Sequence, residues 1–504
     1  MKKLPIDSNR NVQTCVRTHT CLKKCFDVRE FFVRRCSSES FVGLPLTLLS
    51  LALVAVVFFL GGVIEDYLTR DPLFLVDMRV ANLMYIFRSD VLLRFFYFVT
   101  LFSEAQVVIV LAIVTSMFFW IKKERVYIYG VWVSLMLGQG LAMLGKSVFQ
   151  RERPDMFLRA ITENSFSFPS GHAATVVPLY GFIIYLIYKS RAGKKTKVWA
   201  SIFFVALVFL VDLSRLYLGV HYMSDVIAGN LVGLMSLIIA IITTELLILE
   251  RKKNIKINMG LSHSIIFLCM ATIVVSLLFR FSPTPVTKEK VVDTQHIQST
   301  NILSLFDNNI LSRFTETLTA SPQEPLSLII VVPRACFVEN VARAGWVLAD
   351  GVSFRTTKAF AKAALLNKQY PTAPMTPSFF NAEPHDYGFQ KETEANTIRS
   401  RHHARFWNTP YETPLGGVYV GTVSLDTGVK WGILTHRISP DIDTERDLLL
   451  GDLKKAGVVT SSELVSFVPP TFGKNFTGDP FFTNGQTQVI VLSSCDNQVV
   501  LSGN

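Results

Sequence analysis

SRLYLGVHYMSD, Ser214–Asp225, separates two long apolar runs with an arginine, a histidine and an aspartate. The run before it opens near Val198 and the run after it near Met223, and both have the length of a membrane-spanning helix. Ionisable groups at a bilayer edge are costly to desolvate, so such a cluster marks a functional site by default.

Working outward, the rest of the chain has the same character. Of its 504 residues 50% are hydrophobic, and the mean hydropathy is +0.37, too apolar for a soluble protein of this length. Further spans are expected at Leu44–Ile64 and from near Glu104, Val126 and Ala173, with a last one at Ser264–Phe279. Val91–Phe102 is shorter and carries Arg94, so it reads as an interfacial amphipathic helix. With residues 71–87 before it, it would form a flap on the bilayer surface.

Charge divides the chain in two. Residues 1–281 hold 31 Lys/Arg against 18 Asp/Glu, whereas residues 282–504 hold 19 against 21. The basic clusters Lys122/Lys123/Arg125, Lys189–Lys197 and Arg251–Lys256 alternate with spans so that all fall on one side. The N-terminal forty residues, with nine Lys/Arg to four Asp/Glu, fall there too. The positive-inside rule makes this the cytoplasmic face and puts residues 282–504 outside. The excess charge thus belongs to membrane loops, and no basic-aromatic groove for nucleic acid is present. The expected fold is an all-α polytopic membrane bundle, six spans plus a seventh, followed by a soluble α/β or α+β domain. Its divisions are a basic cytoplasmic segment (1–41), a core (42–250), a loop and seventh span (251–281), a linker (282–319) and an extracytoplasmic domain (320–504).

Two more polar islands fall on the outer face with the first. KSVFQRERP supplies Lys146 and Arg153, and FPSGH supplies Ser170, Gly171 and His172. Together with Arg215, His221 and Asp225 they form a set suited to phosphoryl transfer without a metal or other cofactor. Lysine is a compact charge, and arginine clamps phosphate oxygens bidentately. A helix opening at Ser-Gly-His offers free N–H groups to an anion. Two histidines divide the labour of nucleophile and acid. Asp225, four residues after His221, would share its helix face and hold Nδ1–H, leaving Nε2 to attack.

These islands, Lys-x6-Arg-Pro, Pro-Ser-Gly-His and Ser-Arg-x5-His-x3-Asp, resemble the three-part signature of the type 2 phosphatidic acid phosphatase superfamily. That group is related to the vanadium haloperoxidases. The resemblance covers roughly residues 42–250 and implies a membrane lipid phosphatase, with His221 as phosphohistidine nucleophile, Asp225 as its partner and His172 as general acid. It assigns phosphate binding to Lys146, Arg153, Ser170, Gly171 and Arg215. Embedding in spans favours a lipid phosphate over the vanadate chemistry of soluble relatives. The competing class is a lipid-phosphate-binding or transport protein that retains the site for recognition, but binding alone has no need of the nucleophile pair. Asp212 is expected to orient Arg215, and Glu104 to serve the start of its span.

Beyond Phe281 the composition turns polar. PLSLIIVV reads as a buried strand and SFRTTKAFAKAALLNK as a helix. GGVYVGTVSLDTGVKWGILT reads as two strands around a turn at Asp426-Thr427-Gly428, and a helix is expected from Ser439-Pro440 to Gly457. RAGWVLAD, RHHARFW and THRISPDIDTERD resemble the LssY carboxy-terminal domain family over about residues 320–465, a likeness without a known chemistry. As a strand, RHHARFW puts Arg401, His403, Arg405 and Trp407 on one face, with His402 and Phe406 opposite. With His436, Asp441, Asp443 and Glu445 nearby, a buried network, an anion or sugar subsite and a metal site all remain open. The anion reading makes an envelope glycan or lipid headgroup the partner. Cys336 and Cys495, the domain's two cysteines, would face an oxidising compartment and form a disulfide if they are close enough.

Overall fold

The computed structural model describes residues 35–38, 40–251, 294–297, 302–307, 310–430, 435–475 and 477–495. The expected seventh span lies outside the described residues.

Among the described residues, eight long helices form the first half: α1 (Leu44–Thr69), α2 (Pro72–Ile86), α3 (Asp90–Thr100), α4 (Ala105–Ile121), α5 (Arg125–Phe149), α6 (Gly171–Lys189), α7 (Lys194–Tyr217) and α8 (Met223–Glu250). Five of them (α1, α5, α6, α7 and α8) are long and apolar enough to cross a membrane. A sixth span arises if α3 and α4, bent by 42° at their junction, are counted as one. The helix expected at Val91–Phe102 is α3, which meets α4 at this bend. Val54, Phe58 and Phe59 on α1 are exposed, Phe58 to 76%. An apolar surface of this kind needs lipid around it.

Helix α8 is the axis of the bundle, packed against α1, α5 and α6. Close approach depends on missing side chains. A Cβ on Gly229 of α8 would lie 2.5 Å from the Ser170 carbonyl oxygen, and one on Gly138 of α5 would lie 2.6 Å from that of Ala174. Helix α2 is not a flap on the bilayer. It buries Asp77, Arg79 and Asn82 and packs on α1, α7 and α8. Its polar residues answer charges on either side, which an interfacial helix would leave to water.

The second half is built on a nine-stranded mixed sheet. Two short strands, β1 (Phe314–Glu316) and β2 (Pro322–Pro325), precede β3 (Leu328–Val332). Then come β4 (Val347–Leu348), β5 (Tyr387–Thr397), β6 (Ser400–Thr413), β7 (Gly416–Lys430), β8 (Thr435–Ile438), β9 (Val459–Ser466) and β10 (Gln486–Leu492). The main path runs β9-β10-β3-β7-β6-β5-β4, with β8 beside the end of β7 and Gln295–His296 beside β6. Among the described residues, only the β10–β3 and Gln295–His296/β6 pairings of this sheet are parallel. Helices α9 (Phe337–Arg343) and α11 (Asp443–Lys455) cover one face, where Phe337, Leu449 and Leu453 join Leu328, Phe406 and Tyr419. The other face packs Ile329, Val331 and Trp407 with Phe306 and Phe467. A third helix, α10 (Phe354–Leu366), packs Phe360, Ala363 and Ala364 against Ala373 and Ile398.

Three expectations change here. The turn at Asp426 does not exist, because β7 runs through it with only a bulge between Asp426 and Gly428. The helix expected from Ser439 begins at Asp443. Part of the presumed linker is folded: Gln295–His296 pairs with β6, and Ile302, Leu305, Phe306 and Leu311 sit in the core. Their apolar side chains have a place to go once the sheet exists. Cys336 and Cys495 are joined by a disulfide, with Cα atoms 5.3 Å apart.

The two halves meet at α2. Arg79 is ion-paired with Glu316 of β1, and the Asn82 side chain donates to the Ala382 carbonyl at 3.0 Å.

Candidate active site

The three polar islands converge because the chain turns at the same end of α5, α6, α7 and α8. Lys146 lies in the last turn of α5. Ser170 is the N-cap of α6, whose first residue is Gly171. His221 lies in the turn between α7 and α8. A backbone bond from Ser170 N–H to the Asp225 carbonyl, 2.9 Å, ties the second island to the third.

His221 is almost fully buried, with Nδ1 3.4 Å from Asp225 Oδ2. It stands before the first residue of α8, so this pairing is not made by a shared helix face. Instead Asp225 turns back over the helix start, and its Oδ2 also accepts the Tyr222 N–H at 2.9 Å. On the other side of the ring, Nε2 lies 3.3 Å from Arg153 Nη1. Burial, then the charges of Arg153, Arg215 and Lys146, hold His221 well below the usual histidine range, so its imidazole is neutral at neutral pH. A neutral ring with Nδ1–H directed at a carboxylate leaves a lone pair on Nε2.

The phosphate-binding candidates differ in exposure. Lys146 reaches the Phe166 carbonyl and Ser165 Oγ, the latter at 3.4 Å. Arg153 is held by the Ser165 carbonyl (2.7 Å) and the Val220 carbonyl (2.5 Å). Arg215 is fully buried, donating to Thr100 Oγ1 at 2.9 Å and pairing with Glu163 at 2.6 Å. Ser170 Oγ is buried and has no hydrogen-bond partner among the described residues. Asp212 does not orient Arg215, since its Oδ2 accepts from Asn230 at 2.8 Å. Glu163 takes that place. Glu104 is the N-cap of α4 and lines the cavity.

That cavity, about 390 Å³, is lined by Lys146, Arg153, Gly171, His172 and His221 together with apolar Val108, Ala112, Trp132, Leu135 and Met136. Trp132 and Lys146 are separated along α5 by about 21 Å at 1.5 Å per residue. The cavity thus joins a cationic end to a lane the length of a lipid chain.

Three residues that the motifs do not identify complete the site. Arg151 donates to Asp225 Oδ1 at 2.8 Å and to Asp77 Oδ2 at 2.7 Å. Asp77 also accepts the Ser224 N–H at 2.9 Å. Glu163 pairs with Arg215 as above. The signal for Asp77 and Arg151 was charge within or beside apolar runs, the same signal that marked His221.

In the C-terminal domain, Arg401, His403, Arg405 and His436 line one cavity. Asp443 is not among them. It pairs with Arg446 at 3.0 Å and accepts the Asn484 N–H at 2.7 Å. Trp407 is packed in the core. The carboxylate at the centre of the cluster is Asp426.

Comparison with known proteins agrees with both halves. Residues 125–248 match the PAP2 superfamily, and residues 308–487 match the family described as LssY C-terminus. Phosphatidylglycerophosphatase B of Bacillus subtilis (strain 168) is 40% identical over 91 residues, 18% of this chain and 44% of that protein. Lipid A 4'-phosphatase of Bacteroides thetaiotaomicron is 44% identical over 68 residues, 14% of this chain and 27% of that protein. The chain therefore spans less than half the length of either curated relative. Among solved structures, a transmembrane PAP2 type phosphatidylglycerolphosphate phosphatase from Bacillus subtilis aligns at 21% identity with a TM-score of 0.34, covering 40% of this chain and 98% of that one. Aquifex aeolicus LpxE aligns at 23% with a TM-score of 0.28, covering 33% and 94%.

Proposed function

We propose that this chain, a PAP2-superfamily core followed by an LssY C-terminus region, is an integral membrane lipid phosphatase acting through a phosphohistidine. The observation that carries the reading is His221, neutral and backed by Asp225, facing the cationic end of a cavity whose other end is apolar.

In the reaction, His221 Nε2 attacks phosphorus. The N–P bond forms as the P–O bond to the lipid breaks, and His172 gives a proton to the leaving oxygen. Water then attacks phosphorus and returns a proton to His172. The N–P bond breaks and inorganic phosphate leaves. Asp225 keeps the Nδ1 hydrogen directed at itself throughout and stabilises the positive charge that develops on the ring. Lys146 and Arg153, with the first N–H groups of α6, face the charge on the phosphoryl oxygens, and Arg215, buried and paired with Glu163, adds its charge from behind the cavity lining, together the task a metal ion performs elsewhere. Activity is therefore metal-independent and survives EDTA.

The substrate is a lipid phosphomonoester or pyrophosphate: phosphatidic acid, phosphatidylglycerol phosphate, an isoprenoid pyrophosphate or a lipid A phosphate. The names of the two curated relatives support the second and fourth. The basic loops and the Cys336–Cys495 disulfide support a bacterial inner-membrane protein with its site and C-terminal domain on the periplasmic side. The direct test is phosphate release by purified protein across a panel of these lipids, with acid-labile radiolabel trapped from a labelled substrate. His221→Ala should lose both release and trapped label, whereas His172→Ala should retain label and release slowly. Turnover by His221→Ala at the wild-type rate would refute the mechanism.

A further inference from the structure

Phosphoryl transfer makes no use of the cavity in the C-terminal domain, about 210 Å³ in volume. On its floor, Asp426 is 1% exposed and meets three groups. Arg401 Nε donates to Oδ2 at 3.1 Å, His403 Nδ1 lies 2.9 Å from Oδ1, and His436 Nδ1 lies 3.4 Å from Oδ2. A carboxylate accepts only: His403 Nδ1, at hydrogen-bond distance, carries its hydrogen toward Asp426 Oδ1, and the carboxylate charge beside His436 Nδ1 favours the same tautomer there, with the lone pair on Nε2. His403 Nε2 spends its lone pair on Ser424 Oγ, 2.7 Å away, and Arg405 Nη1, 3.1 Å away. His436 Nε2 and Arg405 Nε are buried and have no partner among the described residues.

The charges can be counted. Arg401 is neutralised by Asp426 and also donates to Gln390. Arg405 forms no ion pair among the described residues. Glu324, on β2, lines the same cavity without pairing with Arg405, and burial pushes that carboxyl above the usual range. Burial likewise lowers both histidines, His436 to about 4, which agrees with neutral rings. The cavity thus offers one guanidinium without an ion pair among the described residues and, beside it, one buried acceptor.

We propose that this cavity is a second anion site, built for a singly protonated phosphate group whose charged oxygens are held by Arg405 and whose hydroxyl hydrogen is given to His436 Nε2. A fully deprotonated oxyanion such as sulfate would set a lone pair against that of Nε2 and leave the buried acceptor unsatisfied, a cost that separates the two anions. A metal ion fits poorly, because Asp426 and Ser424 already occupy the other imidazole nitrogens. Ser424, His403 and Asp426 have the distances of a hydrolytic triad. Ser424, however, is buried and does not line the cavity, so no substrate carbon or phosphorus reaches it.

The proposal is independent of the phosphatase reading, and one experiment separates them. Equilibrium dialysis of radiolabelled inorganic phosphate against the full chain in detergent should find two sites. Arg215→Ala should remove the membrane site alone. Arg405→Gln should remove the other, weakening it at least tenfold. Sulfate should compete at the second site at least tenfold less well than phosphate, and His436→Leu should abolish that preference. Should Arg405→Gln fail to fold, Thr376→Trp fills the cavity from its exposed rim without touching the polar cluster, and should block the same site. Glycerol 3-phosphate distinguishes the source: competition as strong as that of phosphate identifies a lipid headgroup, and competition tenfold weaker identifies free phosphate. A single site lost in Arg215→Ala, equal competition by sulfate, or labelling of Ser424 by a fluorophosphonate would overturn the proposal. A single site lost only in Arg405→Gln would support it and count against the phosphatase reading.

Discussion

Asp77 is the most informative residue to change, because it touches neither substrate nor nucleophile. Asp77→Asn preserves shape and an acceptor for the Ser224 N–H while removing the charge opposite Arg151. Arg151 is buried and also enclosed by Tyr222, whose ring centre is 4.2 Å from the guanidinium carbon. It then has Asp225 as its remaining carboxylate and draws it away from His221. The Nδ1–Oδ2 distance is already 3.4 Å, near the limit of a hydrogen bond, so a small shift breaks it. A hydrogen bond to a charged group is worth about 1.5–3 kcal/mol, which corresponds to a fall in kcat of roughly 10- to 100-fold. KM should stay within about twofold, because Lys146, Arg153 and Arg215 are untouched. The assay is phosphate release from short-chain phosphatidic acid in micelles, with thermal unfolding in parallel. Removing Arg151 as well, in Asp77→Asn/Arg151→Gln, should show a coupling energy of at least about 1 kcal/mol in stability. Wild-type kcat in folded Asp77→Asn would refute the claim that Asp225 is positioned through this chain.

The C-terminal domain should lose stability in acid. His436 in the fold has a pKa of about 4 and His385 of about 3, against 6.5 ordinarily, each mainly through burial. Between those values and 6.5 only the unfolded chain takes up the protons, so the stability is complete above 6.5 and declines as pH falls through the window. For His436, beside Arg401, His403, Arg405 and Asp426, the loss is on the order of 3 kcal/mol; hydrogen exchange over residues 310–495 that does not change between pH 7 and 4 would contradict it. Gly229→Ala puts a methyl against the Ser170 carbonyl and should cost about 1–3 kcal/mol, with loss of activity as the Pro-Ser-Gly-His turn moves; an unchanged Tm and rate would show that the turn yields freely. Glu316→Ala leaves Arg79 buried at the junction of the halves, a defect of about 3–5 kcal/mol. Proteolysis between residues 282 and 310 should quicken in this variant, and an unaltered cleavage rate would mean that the contact does not hold the halves together.

The candidate site of the membrane half was legible because its residues are close in sequence. Lys146 and Arg153 bracket one turn, Ser170 to His172 open one helix, and Arg215 to Asp225 span one connection. Local spacing and the cost of charge in an apolar run single them out as candidates. The spans were legible for the same reason, since apolar length is a local property. Their number was harder to read, because the bend between α3 and α4 depends on what packs around it.

The partners of those residues were decided by the tertiary structure. Asp77 lies 148 positions before Asp225 in the chain, yet Arg151 joins them through two bonds. Glu163, not Asp212, answers Arg215, because α7 turns Asp212 toward Asn230. In the C-terminal domain the strand pattern placed Arg401, His403 and Arg405 on one face, but Asp426 looked like a turn residue. Asp443, next to His436 in the reading, was claimed by Arg446 and the Asn484 backbone. A buried charge takes whichever partner the fold brings within about 3 Å. Sequence spacing determines which residues share a strand face or a helix start; only the packing of one element on another determines which opposite charges meet.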